Sequence, residues 1–445
     1  PFAPGIRHGQ QSHSKTYAAT AVGIAYTEGL LKLDERLIDI FPEEAPENPS
    51  ENLKLLTIHD VLCMGCGMDE MPEPTENWIH DFLHTPVNHK PGTTYMYNSV
   101  GSSILGAIVR KKTGLGLHEY LKPRLYDKVG ILSDNHRWMK MPDGMEVGGG
   151  GLFATTEDNL RLMKLYADGG VWDNERILAE DYVKRATSLQ NESATEAIGN
   201  PEARDNFVGY GYQIWMCQPK GVYRADGAMG QFTIVVPDLD MLIAITENAA
   251  GAHWAQATLD VMWEFLERIR KNPASGETGI AAAALKKRMS HLALPNPNYQ
   301  PFSPYMEQVN GSSYEVEKGN FYLAGNGVEH VMGGAPLPAA IKSFTLHFTC
   351  DAVCISTNDG KENFDFLAAM DGSRKQNLIP GRLIGQVLAN AWWEQEKVLV
   401  VEMRKIETCG KEKLIFTFEE NQVTIKSEDN MLFKLETPTI IAKKK

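Results

Sequence analysis

Ser12-His13-Ser14-Lys15 and Tyr97-Asn98-Ser99 are the segments whose residue types and spacing suit nucleophilic chemistry. A serine hydroxyl is a weak nucleophile until a neighbouring base takes its proton. A spacing of three places Ser12 and Lys15 on one helical face, one turn apart. A lysine amine serves as base once burial and a nearby positive dipole lower its pKa. The helix N-terminus at this point supplies such a dipole, and an N–H for a developing oxyanion. Alone, S-x-x-K reads better as a solvated helix start with an N-cap serine, so the segment needs company.

The surrounding elements must position these groups. Residues 16–31 read as a helix rich in Ala and small residues, with Gly29 near its end. Thr57-Ile58-His59-Asp60 fits a capping box ahead of Val61 and Leu62, and Thr155-Thr156-Glu157-Asp158 fits another. Residues 77–84 read as a short amphipathic helix ended before Pro86. Residues 102–112 carry Ile104, Leu105, Ile108 and Val109 at helical spacing, stopped by Thr113-Gly114. Residues 231–236 and 241–246 predict a hairpin closed by a four-residue polar loop. A helix follows over about 252–270. Residues 271–279 have linker composition, 281–292 form a short helix, and the proline-bearing stretch 295–304 is extended. After Pro304 the texture changes to short alternating runs at 343–349, 397–403, 412–418 and 422–426. They predict an antiparallel all-β module, a barrel or a sandwich.

A third segment, Val222-Tyr223-Arg224-Ala225-Asp226-Gly227-Ala228, stands just before the hairpin. With it, the chain resembles the serine β-lactamase/penicillin-binding-protein superfamily in its class C, DD-peptidase and esterase-like branch. That branch carries S-x-x-K, then Y-x-N or Y-x-S, then a K/H-x-G strand. The matches are Ser12 and Lys15, Tyr97 and Ser99, and Gly227. The context agrees too: Pro91-Gly92-Thr93 before the tyrosine, Leu105 to Gly114 after it, and the glycine-led Gly149 to Asp158.

The resemblance implies an α+β fold: an antiparallel sheet flanked by helices plus an all-helical part, then a C-terminal antiparallel β-barrel-like domain. It implies a hydrolase domain over 1–272, a linker with a short helix over 273–304 and the all-β domain over 305–445. Ser12, Lys15 and Tyr97 would be catalytic; Ser99, Asp226, Gly227 and Ala228 would bind substrate. The N–H groups of Ser12 and Ala228 would form the oxyanion hole. The implied reaction is acyl-enzyme formation on an amide or ester: a β-lactam, a D-amino-acid peptide or a small ester. The alternative is a catalytically weak module that binds peptide or cell-wall ligands.

Two departures qualify the resemblance. Ala225 occupies the Lys or His position, so the cation expected to hold a substrate carboxylate is missing, while alternation points Arg224 to the opposite face. Gly227 keeps the glycine, whose bare backbone is expected to let substrate lie along the strand. Only eleven residues precede Ser12 where the family has a helix and strands, and a trimmed N-terminus is the expectation.

Composition bounds the remainder. A length of 445 residues predicts two or three domains. Lys+Arg is 44 against 57 for Asp+Glu, a formal charge of −13, which argues against a nucleic-acid partner. No run of about 18 apolar residues predicts a membrane span. Six cysteines are too few for a disulfide framework. Cys63 and Cys66 lack the second pair that a zinc site needs, so packing is the better account. Cys350 and Cys354 read as small core residues on one strand face. Gly148 to Gly151 lacks the pattern of a phosphate loop. Trp392-Trp393 reads as a barrel core pair in preference to an exposed sugar platform. His59 and His80 read as helix-surface histidines without partners. No metal and no cofactor is expected. The expected partner is a small-molecule or peptide substrate, and the sequence assigns neither oligomeric state nor compartment.

Overall fold

A computed structural model describes the chain except residues 1–4, 132–133, 135, 192–201, 250–254, 273–278, 324–336, 380–381 and 430–438. The chain divides into two compact units, one built on Pro4–Thr258 and the other on Leu259–Gly327 with Pro336–Lys445.

The first unit is organised around a helix that is buried on every side and mostly apolar. Within Ser14–Thr27, every residue from Ser14 to Ala25 is buried. A helix that is mainly small and apolar all round belongs in a core, and its few polar groups must find partners there. It begins two residues earlier and ends four residues sooner than expected. Gly29 follows its end with φ +72°. The helix Ser99–Thr113 packs beside it and stops at Gly114, whose left-handed conformation (φ +78°) caps the last carbonyls. Both expected capping boxes form. Thr57 opens Ile58–Leu62 and Thr155 opens Thr156–Ala167, each exchanging bonds with the aspartate three residues on.

Two small antiparallel sheets and a two-stranded ribbon, Val171–Trp172 with Glu175–Arg176, complete the described part of this unit. Leu152–Ala154 lies between His8–Gly9 and Arg137–Trp138. Trp215–Met216, Tyr223–Gly227, Gln231–Val236 and Met241–Ile245 follow one another in a second sheet. The expected hairpin is there, its loop tightened into a 3-10 turn at Pro237–Leu239 with Asp240 left-handed. The helix expected at 252–270 is observed as Gln256–Lys271, most of which belongs to the second unit.

The glycine run joins the layers. Gly148 and Gly149 lie against the first turn of Ser99–Thr113. A Cβ on Gly149 would sit inside the van der Waals radius of the Ser99 carbonyl oxygen. The Gly149 N–H donates to Ser103 Oγ at 3.0 Å. These glycines serve close packing rather than a phosphate.

The second unit carries helices Gly279–Ser290 and Met306–Val309 and an antiparallel barrel. Nine strands close when Ala369 of Asn363–Ala369 pairs, in parallel, with Asn390 of Gln386–Gln395. The interior is filled by Tyr314, Phe344, Phe366, Trp393, Leu399, Phe416 and their neighbours, so it is a core and not a lumen. Trp393 belongs to that core. Trp392, on the opposite strand face, is also buried, with Lys413 Nζ 5.8 Å from its ring centroid, so neither indole is an exposed platform. The cysteine expectation fails here. Cys350 is exposed ahead of the Ala352–Asn358 strand. Val353 and Ile355 take the core-facing positions, so alternation turns Cys354 away. No described helix is long and apolar enough to cross a membrane.

Gly149→Ala should lower stability by about 1–3 kcal/mol, the usual cost of overpacking against immovable backbone. The urea midpoint measures it, and a midpoint equal to wild type would contradict the packing argument.

Candidate active site

The segment carrying Ser12 is pinned from both sides. His8–Gly9 pairs with Phe153 and Ala154. The buried Gln10 side chain donates to His8 O (2.7 Å) and Ala154 O (2.9 Å), and accepts from Asn159 Nδ2 (2.6 Å). Gln11 then takes a left-handed conformation, φ +50°, which turns the chain sharply into the short 3-10 turn Gln11–His13. Ser14 Oγ holds that corner, donating to Gln11 O and accepting from Leu152 N. Ser12 therefore sits at a constrained corner just before the central helix. Met64, Gln213 and Met229 are also left-handed without being glycine. Each such residue costs on the order of 1–3 kcal/mol, a strain that clusters at functional sites.

Lys15 is the centre of the arrangement. It is only 1 % exposed. Its Nζ lies 2.9 Å from Ser12 Oγ and 3.0 Å from Ser99 Oγ, and bonds to the Gly149 carbonyl oxygen as well. Burial pulls its pKa down to about 7, against the field of Asp226, which pushes it up. A neutral amine keeps two donors and one lone pair. Gly149 O can only accept, and Ser99 Oγ can accept, which leaves the lone pair for the Ser12 hydroxyl. Ser99 thus takes the lysine, while Asn98 caps its helix by accepting from Gly101 N at 2.8 Å.

An aromatic stack closes one side. The Tyr97 ring centroid is 4.8 Å from Lys15 Nζ. Tyr97 stacks on Trp215 at 5.7 Å with rings 22° apart. Arg224 lies over the Trp215 ring at 5.6 Å. Trp215, Tyr210 and Met64 form a buried cluster against which Tyr95 and Tyr97 pack.

The third segment is the strand Tyr223–Gly227, paired with Gln231–Val236. Ala225 is buried and opposite Thr233, whose Oγ1 is 2.9 Å from His13 Nε2. Arg224 and Asp226 face the other way, as alternation requires. Gly227 has a different reason from the one expected. A Cβ there would collide with the Gln10 carbonyl oxygen and approach His13 N to 3.1 Å. Its bareness admits the Ser12 turn and brings the strand end against it, rather than clearing a track for substrate. The backbone N–H groups of Ser12 and Ala228 bond to no acceptor among the described residues.

All seven residues singled out for catalysis or binding thus belong to one neighbourhood: Ser12, Lys15, Ser99 and Tyr97 by direct contact, Asp226 by its field on Lys15, Gly227 and Ala228 by the strand end. Sequence reasoning missed Gly149 as a lysine acceptor, Trp215 as the platform for Tyr97, and Gln10 as a tether. The aromatic run Tyr210-Gly211-Tyr212-Gln213-Ile214-Trp215 was the signal for the platform. The histidine expectation also fails. His59 Nδ1 is 2.8 Å from Tyr212 Oη, and His80 stacks on His84 at 3.8 Å. Cys63 and Cys66 are buried, and burial pushes the Cys63 thiol up to about 12. That suits packing and opposes thiolate chemistry. No group of three metal-ligating side chains occurs among the described residues.

Residues 4–262 match the family described as Beta-lactamase. A putative D-alanyl-D-alanine carboxypeptidase of Escherichia coli (strain K12) is 24 % identical over 254 residues, 44 % of this chain and 58 % of that protein. The chain therefore spans little more than half the length of that relative. A 6-aminohexanoate-dimer hydrolase of Paenarthrobacter ureafaciens is 24 % identical over 263 residues, covering 54 % of this chain and 66 % of the relative. Among solved structures, the octameric penicillin-binding protein homologue from Pyrococcus abyssi aligns with 99 % of this chain and 89 % of its own, at 15 % identity and a TM-score of 0.45.

Modification of Ser12 by a fluorophosphonate should accelerate as pH rises through about 7, because only the uncharged Lys15 amine accepts the serine proton. Asp226→Asn removes a carboxylate that favours the charged amine, so the rising limb should move to lower pH. A limb near the ordinary lysine value, or one unmoved in the variant, would contradict this reading.

Proposed function

Because the chain belongs to the beta-lactamase family, we propose that it is a serine hydrolase that cleaves an amide or ester through an acyl-enzyme on Ser12. The single observation supporting this most is the buried Lys15 amine at 2.9 Å from Ser12 Oγ, with a pKa of about 7. Lys15 takes the Ser12 proton as the oxygen attacks the carbonyl carbon. The N–H groups of Ser12 and Ala228 receive the developing oxyanion, where each donor is typically worth about 10²–10³ in rate. Tyr97, packed against the same amine, gives its phenol proton to the departing oxygen or nitrogen and is reprotonated by Lys15, so that the pair relays the Ser12 proton. Water then attacks the acyl carbon while Lys15 takes its proton; the acyl–Oγ bond breaks, Lys15 passes that proton to Ser12 Oγ, and the acid leaves. Ser99 and Gly149 O hold the amine in place through both halves.

The substrate classes to try are D-alanyl-D-alanine peptides and 6-aminohexanoate-type amides from the relatives, β-lactams from the family, and short esters as the simplest acyl donors. Ala225 in place of a cation weighs against substrates held by a carboxylate. A hydrolase domain over 1–272, a linker over 273–304 and an all-β domain over 305–445 are part of the same proposal.

A panel of p-nitrophenyl esters, D-Ala-D-Ala peptides and β-lactams should include at least one compound turned over by wild type and slowed about 10⁴-fold or more in Ser12→Ala. A fluorophosphonate should label wild type and not that variant. Tyr97→Phe keeps the ring on Trp215 and should cost roughly 10²–10⁴-fold in turnover. Absence of any Ser12-dependent label or turnover would leave a ligand-binding module and overturn the hydrolase.

A further inference from the structure

The charge that this cleft offers a ligand has the opposite sign from the one that a Lys or His at position 225 would provide. Arg224 cannot supply the missing cation. Its side chain is 1 % exposed, and each of its nitrogens is engaged inside the protein. Nε donates to Asp226 Oδ2 at 2.8 Å, one terminal nitrogen to Asn206 Oδ1 at 2.6 Å, and the other to the carbonyls of Asp205 and Met216 and to Cys217 Sγ. The guanidinium is a buried fixture against the Trp215 ring, which stacks on Tyr97 beside Lys15. What it fixes is Asp226, by one oxygen.

Asp226 has 18 % of its side chain exposed. Its Oδ1 has no partner among the described residues. The strand that carries it runs directly into Gly227 and Ala228, against the Ser12 turn. A carboxylate with one oxygen clamped and one presented is an acceptor of fixed direction. It rewards an N–H or ammonium group and penalises an incoming carboxylate, which would meet a like charge. Lys15 does not reverse the sign, because its nitrogen is buried, is engaged by three protein groups, and loses its charge above about pH 7.

We propose that Asp226 binds a substrate ammonium group, so that this site takes amides or esters carrying a free amine near the scissile carbonyl and discriminates against those carrying a carboxylate there. The proposal deepens the hydrolase reading and rests on it for the place of the scissile carbonyl. The test is arranged to be independent of turnover. Binding to Ser12→Ala is measured by calorimetry at about pH 8, where the Lys15 amine is mostly uncharged, an alkyl amine of the ligand is mostly charged, and an α-amine with its pKa of about 7.7–8.0 is about half charged. The probes are N-acetyl-D-alanine propylamide (neutral), its aminoethylamide (terminal ammonium), N-acetyl-D-alanyl-D-alanine (terminal carboxylate) and D-alanine propylamide (free α-amine).

One of the two amine probes should bind about tenfold or more tighter than the neutral one, and the carboxylate probe more weakly than either. Which amine wins tells on which side of the carbonyl the ammonium lies. A second substitution, Asp226→Asn, should bring all four probes to within about threefold of one another, and Asp226→Glu should restore the preference. Near-ultraviolet circular dichroism checks that both variants are folded. Equal binding of all four probes, binding of none, a preference for the carboxylate, or a preference that survives Asp226→Asn would overturn the proposal. A failure of Ser12 labelling would instead overturn the hydrolase and leave the binding result standing.

Discussion

A lysine ammonium deprived of water is the constraint around which the first unit is arranged. Burial of a charge without full compensation is costly, and the group sheds its proton instead. Lys15 is surrounded so that the uncharged amine is well served: one carbonyl, one hydroxyl that accepts, one hydroxyl to be activated. Each partner comes from a different part of the chain, and each has its own packing reason to be there. Gly149 reaches the lysine because glycines let its turn lie on the Ser99–Thr113 helix. Ser99 reaches it because Asn98 caps that helix and leaves the next residue facing inward. Ser12 reaches it because Gln10 and Ser14 clamp the corner in which Gln11 is left-handed.

The electrostatics of the site extend through aromatic rings. Lys15 lies over Tyr97, Tyr97 on Trp215, and Arg224 over Trp215. Two cations thus share a stack, one with its charge weakened by burial and one fully paired. Asp226 touches Arg224 directly and acts on Lys15 through its field. The same carboxylate therefore sets how readily the base is freed and what charge the cleft presents. Coupling the two roles in one side chain makes the strand residue after Ala225 more informative than Ala225 itself.

Legibility followed the range of the interaction. Both capping boxes, the hairpin and the Ser99–Thr113 helix end are local, and residue types alone define them. The S-x-x-K spacing and Tyr97 were legible as a set, because one helical turn and the order of the segments are chain properties. The ligation of Lys15 by Gly149 O was not legible, since a backbone acceptor leaves no mark in residue type. Gly227 was legible as a required glycine but not for its reason, because the Gln10 carbonyl that fills its space comes from over two hundred residues away. In the barrel, the runs at 343–349, 397–403, 412–418 and 422–426 were visible by alternation. Gln386–Gln395 was not, because it is buried on both faces from Val387 to Trp393 and shows no alternation. The assignment of Cys350 and Cys354 failed for the related reason that the strand begins only at Ala352.

The account stands on the charge state of one amine, which can be observed directly. With 13C-labelled lysine and a Lys15→Arg protein to assign the signal, the Lys15 Cε shift can be followed against pH in folded protein. The account predicts a single titration centred near 7. A midpoint near the ordinary lysine value of about 10.4 would mean a permanently charged side chain unable to take the Ser12 proton, and would contradict it.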